Sequence, residues 1–250
     1  MNNTQKFSGK AKVYSAARPS YPNELYDYLK KEYKFGAGTV VADIASGTGK
    51  FTEPLLKMGC LVYAVEPNED MRRQAENSLG EYDNFISVNG SAENTGLNDN
   101  SVDFISAAQA FHWFDSELFA AECKRLLKRR GKVFILYNSR DKNAPVTSCL
   151  EDVCKRLCPD FKGFSGGISN NDKDLIDFFK GTYELKTFRN DLYYNRDSFV
   201  NRMLSSSYSP REGDSNYTAF VSELNALFDK FAENDILLVP NNTYLYSGEV

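Results

Sequence analysis

The feature that most narrows what this chain can fold into is an apolar run, Val40-Val41-Ala42-Asp43-Ile44, that empties into a glycine-rich turn, Ala45-Ser46-Gly47-Thr48-Gly49-Lys50. A nearly continuous run of this length reads as a strand covered on both faces, which is the condition of a strand in a parallel sheet between helices. Glycine after the strand lets backbone approach a ligand closely. In open α/β sheets, ligands collect at the carboxyl ends of the strands. Spacing then excludes two ligand loops. A dinucleotide fingerprint starting at Gly47 needs a small residue where Thr52 stands, and one starting at Ala45 needs it at Lys50. A phosphate-binding P-loop needs glycine at Ile44 and Ser or Thr at Phe51. What remains is an acid followed by small-x-Gly-x-Gly, from Asp43 to Gly49.

The same strand-then-helix alternation recurs through the first 140 residues and predicts βα units. Strands are expected at 39–44, 61–65, 85–88, 102–107 and 132–137. Pro22 is suited to open a first helix, Asn68 to cap a second ahead of Glu69 and Asp70, and Asp115 to cap a third whose apolar face is Phe119, Cys123, Leu126 and Leu127. Gly131 is expected to end that helix. Beyond Asn138 the regularity fades. Two helices around a turn at 163–167, a strand over 183–194, helices at 198–204 and 217–232, and a terminal strand pair, 236–239 with 243–247, complete the reading.

The formal net charge of −4 disfavours a surface that tracks nucleic-acid phosphates. The basic stretches Lys124-Arg125 and Lys128-Arg129-Arg130 are expected at a helix end, where cations are favoured. Five cysteines with no export signal read as reduced thiols. Cys149, Cys154 and Cys158 miss zinc-site spacing, and the sole histidine, His112, lies far from them, so no metal is expected. With no apolar run long enough to span a bilayer and a polar start to the chain, a cytoplasmic protein without membrane contact is expected.

The pattern from Asp43 to Gly49 resembles motif I of class I S-adenosylmethionine-dependent methyltransferases, with Ala45 standing where that family usually has glycine. About twenty residues on, Tyr63-Ala64-Val65-Glu66-Pro67 places an acid at the end of the second strand, the position of a ribose-binding carboxylate. Gly90-Ser91-Ala92-Glu93 follows the third strand. The segment from Ser101 to Phe114, with its Gln109-Ala110-Phe111-His112-Trp113 run, is similar to small-molecule methyltransferases related to the trans-aconitate methyltransferase group. Phe7, Tyr14 and Arg18-Pro19-Ser20-Tyr21-Pro22 resemble that group's N-terminal lid, and Leu204 to Pro210, including Tyr208, its late Ser-x-Ser-Tyr segment.

The resemblance implies a Rossmann-like, doubly wound α/β fold: a mostly parallel seven-stranded sheet with an antiparallel C-terminal strand and a mainly helical cap. It implies one domain over 1–250, made of a lid (1–35), a cofactor-binding core (36–138) and C-terminal strands with the inserted cap (139–250). It assigns S-adenosylmethionine, leaving as S-adenosylhomocysteine, to Asp43 near the donor amino group, Ala45, Gly47 and Gly49 in the turn, Glu66 on the ribose, Glu93 at the adenine amino group, and Pro67, Met71, Ala92 and Gln109 around them. Tyr14, Arg18, Tyr21, Trp113 and Tyr208 are candidates for the substrate or lid side. His112 is the candidate catalytic residue, either taking or orienting a proton of the acceptor or serving as a hydrogen-bonded wall. The acceptor is expected to be a small molecule and not nucleic acid. A donor-binding protein without turnover, acting in regulation or assembly, is the alternative, and neither the acceptor nor the oligomeric state can be read from the residues.

Overall fold

A computed structural model describes residues 20–164 and 173–250. Helix α1 (Asn23–Tyr33) starts behind Pro22 and leads through β1 (Val40–Ile44), α2 (Thr52–Lys57), β2 (Leu61–Val65), α3 (Glu69–Leu79) and β3 (Phe85–Val88). Then come β4 (Val102–Ala108), a 3-10 turn (Phe111–Trp113), α4 (Ser116–Leu126) and β5 (Leu127–Arg140). The remainder is α5 (Pro145–Leu157), α6 (Lys173–Phe178), β6 (Glu184–Arg189), β7 (Leu192–Tyr194), α7 (Arg196–Leu204), α8 (Tyr217–Phe231), β8 (Leu237–Val239) and β9 (Asn241–Gly248).

The caps form as the sequence demands. The Asn68 side chain accepts the Met71 N–H at 3.0 Å, and Asp115 accepts those of Glu117 and Leu118. Each satisfies donors that a helix start otherwise leaves without partners.

Seven strands make one sheet in the order β3-β2-β1-β4-β5-β9-β6. All neighbours pair in parallel except β9, which runs antiparallel between β5 and β6. Val41 and Val62 on one face pack with Leu25, Leu29 and Leu55 of α1 and α2; Ile105 and Ile135 on the other pack with Phe119 and Cys123 of α4 and Phe178 of α6. Two covered faces explain the near-continuous apolar strands, and each fully buried Leu or Phe contributes roughly 1.5–3 kcal/mol. A third apolar cluster, the cap, joins α5, α7 and α8 to the small β7-β8 sheet.

Three expectations are corrected. Gly131 does not end a helix: α4 stops at Leu126 and β5 begins at once, so Lys128, Arg129 and Arg130 lie on a strand, with Lys128 paired to Asp103 at 3.0 Å. The register of β4 with β5 slips between Val102 and Phe104, Arg130 takes a φ of 70°, and a Cβ on Gly131 would come within 2.8 Å of the Asp103 carbonyl oxygen. Glycine there answers the close approach of a bulged strand. The strand expected over 183–194 is two strands in different sheets, β6 and β7. They are divided at Asn190 and Asp191, whose N–H and carboxylate meet Asn241 across the corner. Finally, β8 and β9 are not partners; Pro240 separates them, β8 pairs with β7, and β9 enters the main sheet. Phe7, Tyr14, Arg18 and most of the turn at 163–167 lie outside the described residues.

Candidate functional site

The strand order reverses between β1 and β4, and a crevice at the carboxyl ends of such a pair is where open α/β sheets bind ligands. Both strands are followed there by a non-glycine residue in the left-handed region, Ala45 at φ 53° and Gln109 at φ 59°. An L-residue in that conformation costs about 1–2 kcal/mol. Backbone outliers held by their surroundings are a mark of functional sites.

Glu66, at the end of β2 and 7% exposed, reaches across to the glycine turn. One carboxylate oxygen accepts the Gly47 N–H at 2.9 Å and the other the Asn68 N–H at 2.8 Å. Burial raises its pKa, while those two N–H groups and the Arg72 guanidinium oppose the rise. Arg72 also donates to the Glu66 carbonyl and to Asn89, joining the ends of β2 and β3. A carboxylate offers about four lone-pair sites. Two of those on Glu66 are used, so a vicinal diol can still be received.

Asp43 is fully buried beneath the turn, and its oxygens accept from Thr52 and Ser106, each at 2.7 Å. Burial pushes its pKa to about 6, with the two hydroxyls opposing and the charge of Glu66 adding to the rise. These contacts make Asp43 a brace under the turn. Gly47 has a φ of 61°, and a Cβ there would meet nothing within 4 Å, so its exterior side is open; Gly49 is instead pressed against Leu79. The Ser46 hydroxyl is buried without a hydrogen-bond partner in the same turn.

Across the crevice, the Gln109 side chain donates to the Asn138 carbonyl at 3.3 Å. His112, exposed in the 3-10 turn, gives its backbone N–H to the Tyr137 hydroxyl at 3.1 Å. Its ring lies 4.6 Å from that of Trp113, which is 37% exposed. On the third side, Glu93 accepts the Asp115 N–H at 3.1 Å, so the loop after β3 is tied to the start of α4. Further along that loop, Thr95 donates through its backbone N–H and its hydroxyl to Glu122 of α4, which also accepts from Arg125. Burial would raise the Glu122 pKa, but these partners bring it down to about 2.

The strand order and the crevice between β1 and β4 have counterparts among solved structures. The fold is that of the Rossmann-like methyltransferases. Residues 42–135 match the family described as "Methyltransferase domain". An uncharacterized methyltransferase of Mycobacterium tuberculosis is 36% identical over 135 residues, covering 54% of this chain and 53% of that protein. A methyltransferase-like protein of Schizosaccharomyces pombe is 31% identical over 152 residues, covering 60% and 58%. The chain thus matches little more than half the length of these relatives. Among solved structures, a candidate type II methyltransferase from Anaeromyxobacter dehalogenans superposes with a TM-score of 0.67 at 21% identity, covering 93% of this chain and 97% of that one. A Haemonchus contortus phosphoethanolamine N-methyltransferase, solved with S-adenosylhomocysteine, covers 99% of this chain and 59% of its own at a TM-score of 0.57 and 14% identity. Together these show the methyltransferase fold and, over residues 42–135, similarity to the methyltransferase domain family.

Within this methyltransferase fold, Asp43 is the penultimate residue of β1, and Ala45, Gly47, Gly49, Glu66, Pro67, Ala92, Glu93 and Gln109 sit on the turns at the carboxyl ends of β1 to β4. Met71 is buried on the inner side of α3. Two substrate-side candidates fall elsewhere. Tyr21 is core, its ring edge-on to Phe51 at 5.2 Å, and Tyr208 packs edge-on to Phe161 at 4.9 Å in the cap. Sequence reasoning missed Ser46, Tyr137 and Asn138. Tyr137 ends the predicted fifth strand and Asn138 follows it, and that position alone could have singled them out. Among the described residues no group of three His, Cys, Asp or Glu side chains is placed to hold a metal, and no helix is long and apolar enough to cross a membrane.

Proposed function

We propose that this chain transfers a methyl group from S-adenosylmethionine to a small-molecule acceptor in the crevice between β1 and β4. The observation that carries this reading is Glu66: a carboxylate locked to the glycine turn through Gly47, with lone pairs left for the two ribose hydroxyls. The open side of Gly47 and the partnerless Ser46 hydroxyl suit the methionine portion, and Ala92 and Glu93, on the loop after β3, are assigned to the adenine. When bound, S-adenosylmethionine supplies an electrophilic methyl group on a sulfonium, open to in-line displacement. The residues' work is then alignment and exclusion of water. Asp43 holds the turn from beneath through Thr52, the strained Gln109 turn delivers the 3-10 turn to the crevice, and His112 is positioned by Tyr137 to orient the acceptor or take its proton. The net charge of −4 supports a small acceptor over nucleic acid.

Calorimetric titration with S-adenosylhomocysteine tests the donor site. Glu66→Ala should weaken binding tenfold or more, the scale of about 1.5–3 kcal/mol for a hydrogen bond to a charged group. A folded wild-type protein that binds neither S-adenosylmethionine nor S-adenosylhomocysteine would end the proposal. On an acceptor found by labelled-methyl screening, His112→Ala should lower turnover by about a hundredfold while leaving donor affinity intact. Unchanged turnover would remove His112 from the mechanism.

A further inference from the structure

The turn that carries His112 is held by two consecutive residues of β5, and these are fixed in their turn by residues remote in the chain. β4 and β5 run in register only as far as Ala108 and Leu136. Gln109 still gives its backbone N–H to the Leu136 carbonyl at 2.8 Å, then turns away at a φ of 59°. From there side chains take over from the ladder. The Gln109 amide donates to the Asn138 carbonyl at 3.3 Å, and the Tyr137 hydroxyl accepts the His112 N–H at 3.1 Å. Successive residues of a strand point to opposite faces. Tyr137 belongs to the face that packs with Phe119 and Phe178, whereas Asn138 shares its face with Leu136, on the side of α1.

On that face the buried Asn138 side chain is the centre of a polar network. Its Oδ1 accepts from the hydroxyl of Thr243, its fully buried register partner on β9, and from Asn190 Nδ2 at 3.2 Å. The amide nitrogens of Asn138 and Asn190 both donate to the Ser20 carbonyl, at 3.3 and 3.0 Å, and Asn190 Nδ2 is also 3.2 Å from the Thr243 hydroxyl. Ser20 lies just ahead of α1, and Asn190 at the corner between β6 and β7. One step back on the same face the cross-strand pair is Leu136 opposite Leu245, wholly apolar. The polar network thus begins only where β5 has to hold the turn. Buried amides and hydroxyls that satisfy one another favour a single arrangement, because an interior donor or acceptor that loses its partner bears the full desolvation penalty.

We propose that Asn138, Asn190 and Thr243 are positioning residues for methyl transfer: together they fix the end of β5, and Tyr137 and the Gln109 amide pass that position on to His112. This rests on the methyl-transfer reading above. It assigns the alignment of the site to residues beyond 42–135, the span similar to the methyltransferase domain family. Alignment is worth that much structure, since a misplacement of about 1 Å caused far from the chemistry can cost about a hundredfold in rate.

The chain has one histidine and one tryptophan, and both are in the turn, so the NMR signals of the His112 imidazole and the Trp113 indole report its position directly. The imidazole lies 4.6 Å from the Trp113 ring and 6.1 Å from that of Tyr137, whose ring currents make its signals sensitive to small displacements. In the full chain saturated with S-adenosylhomocysteine, Thr243→Val should move both signals, and Thr243→Ser should return them to their wild-type places. Asn190→Ala, at a half-buried position, should move the same two signals and decides the matter even where the valine variant does not fold. Ser247→Ala is the structural control: it removes a buried hydroxyl from the same strand, with its 3.1 Å hydrogen bond to Tyr33, and should leave both signals in place. On an acceptor found by labelled-methyl screening, Thr243→Val should lower kcat about tenfold with an unchanged KM for S-adenosylmethionine. Signals that stay in place in both Thr243→Val and Asn190→Ala, that shift as far in Ser247→Ala, or that Thr243→Ser does not return would overturn the proposal, as would an unchanged kcat. Failure of the wild type to bind S-adenosylhomocysteine would instead defeat the methyl-transfer reading.

Discussion

Thr52 and Thr147 are both fully buried, one under the glycine turn and the other in the first turn of α5 in the cap, yet their hydroxyls fare differently. Thr52 donates to Asp43 at 2.7 Å, whereas the Thr147 hydroxyl has no hydrogen-bond partner. The contrast extends to the charges around them. Asp43, Glu66 and Glu122, in the cofactor half, each accept from at least two donors. In the cap the buried Nε of Arg140 meets no acceptor. The partnerless groups of the first half, Tyr26 and Ser46, lie below and within the glycine turn. In the cofactor half the buried carboxylates are each held by several donors, whereas in the cap a buried hydroxyl and a buried guanidinium nitrogen go without a hydrogen bond.

The sharpest way to break this comparison is through Asp43. Its carboxyl has a pKa near 6 in the folded protein against 3.8 for the ordinary group. Protonation therefore stabilises the fold: the contribution is fully present below pH 3.8 and is lost as pH rises through 6, a change of about 3 kcal/mol. Urea unfolding between pH 3.5 and 7 should show Asp43→Asn to be markedly less pH-dependent than wild type. Some slope will persist, because burial raises Glu66 as well. An unaltered profile would mean that Asp43 is not the buried titrating group.

The two threonines provide the next test. Thr52→Val removes a donor to a buried carboxylate and should cost about 2 kcal/mol. Thr147→Val removes a polar atom that has no partner and should stabilise by about 1 kcal/mol. Chemical denaturation of both variants checks the signs, and equal effects would dissolve the contrast. The smallest expected change is at the turn. Ala45→Gly relieves left-handed strain but adds backbone freedom to the unfolded chain, for a net gain of about 0.5 kcal/mol. A lower melting temperature would show that the turn accepts alanine without strain.

Much of the cofactor half was legible because its determinants are local. A strand, its glycines and the next helix cap fall within about a dozen residues, so Asp43, Gly47, Glu66 and Asn68 could each be placed from neighbours in the chain. The rest depended on contacts between distant residues. Gly131 looks like a helix stop until Asp103 is seen pressing on it, and nothing near Asn190 reveals that Asn241 turns the chain there. Tyr21 reads as a lid residue in the sequence because nothing near it reveals that it packs on Phe51, the residue that precedes α2. Asn138 was invisible for the same reason: an asparagine at a strand end is ordinary until Thr243 and Asn190 meet its side chain.

The position of β9 has a consequence for the order of assembly. β6 is synthesised well before β9 but reaches the sheet only through it, since β9 lies between β5 and β6 with Tyr246 opposite both Ile135 and Leu185. On the ribosome, β3, β2, β1, β4 and β5 can pair as they emerge, while the free edge of β5 waits for a strand more than 100 residues further along, from Arg140 to Asn241. The nascent chain therefore passes through a stage with an open apolar edge, the situation in which chaperones bind and strands from neighbouring chains intrude.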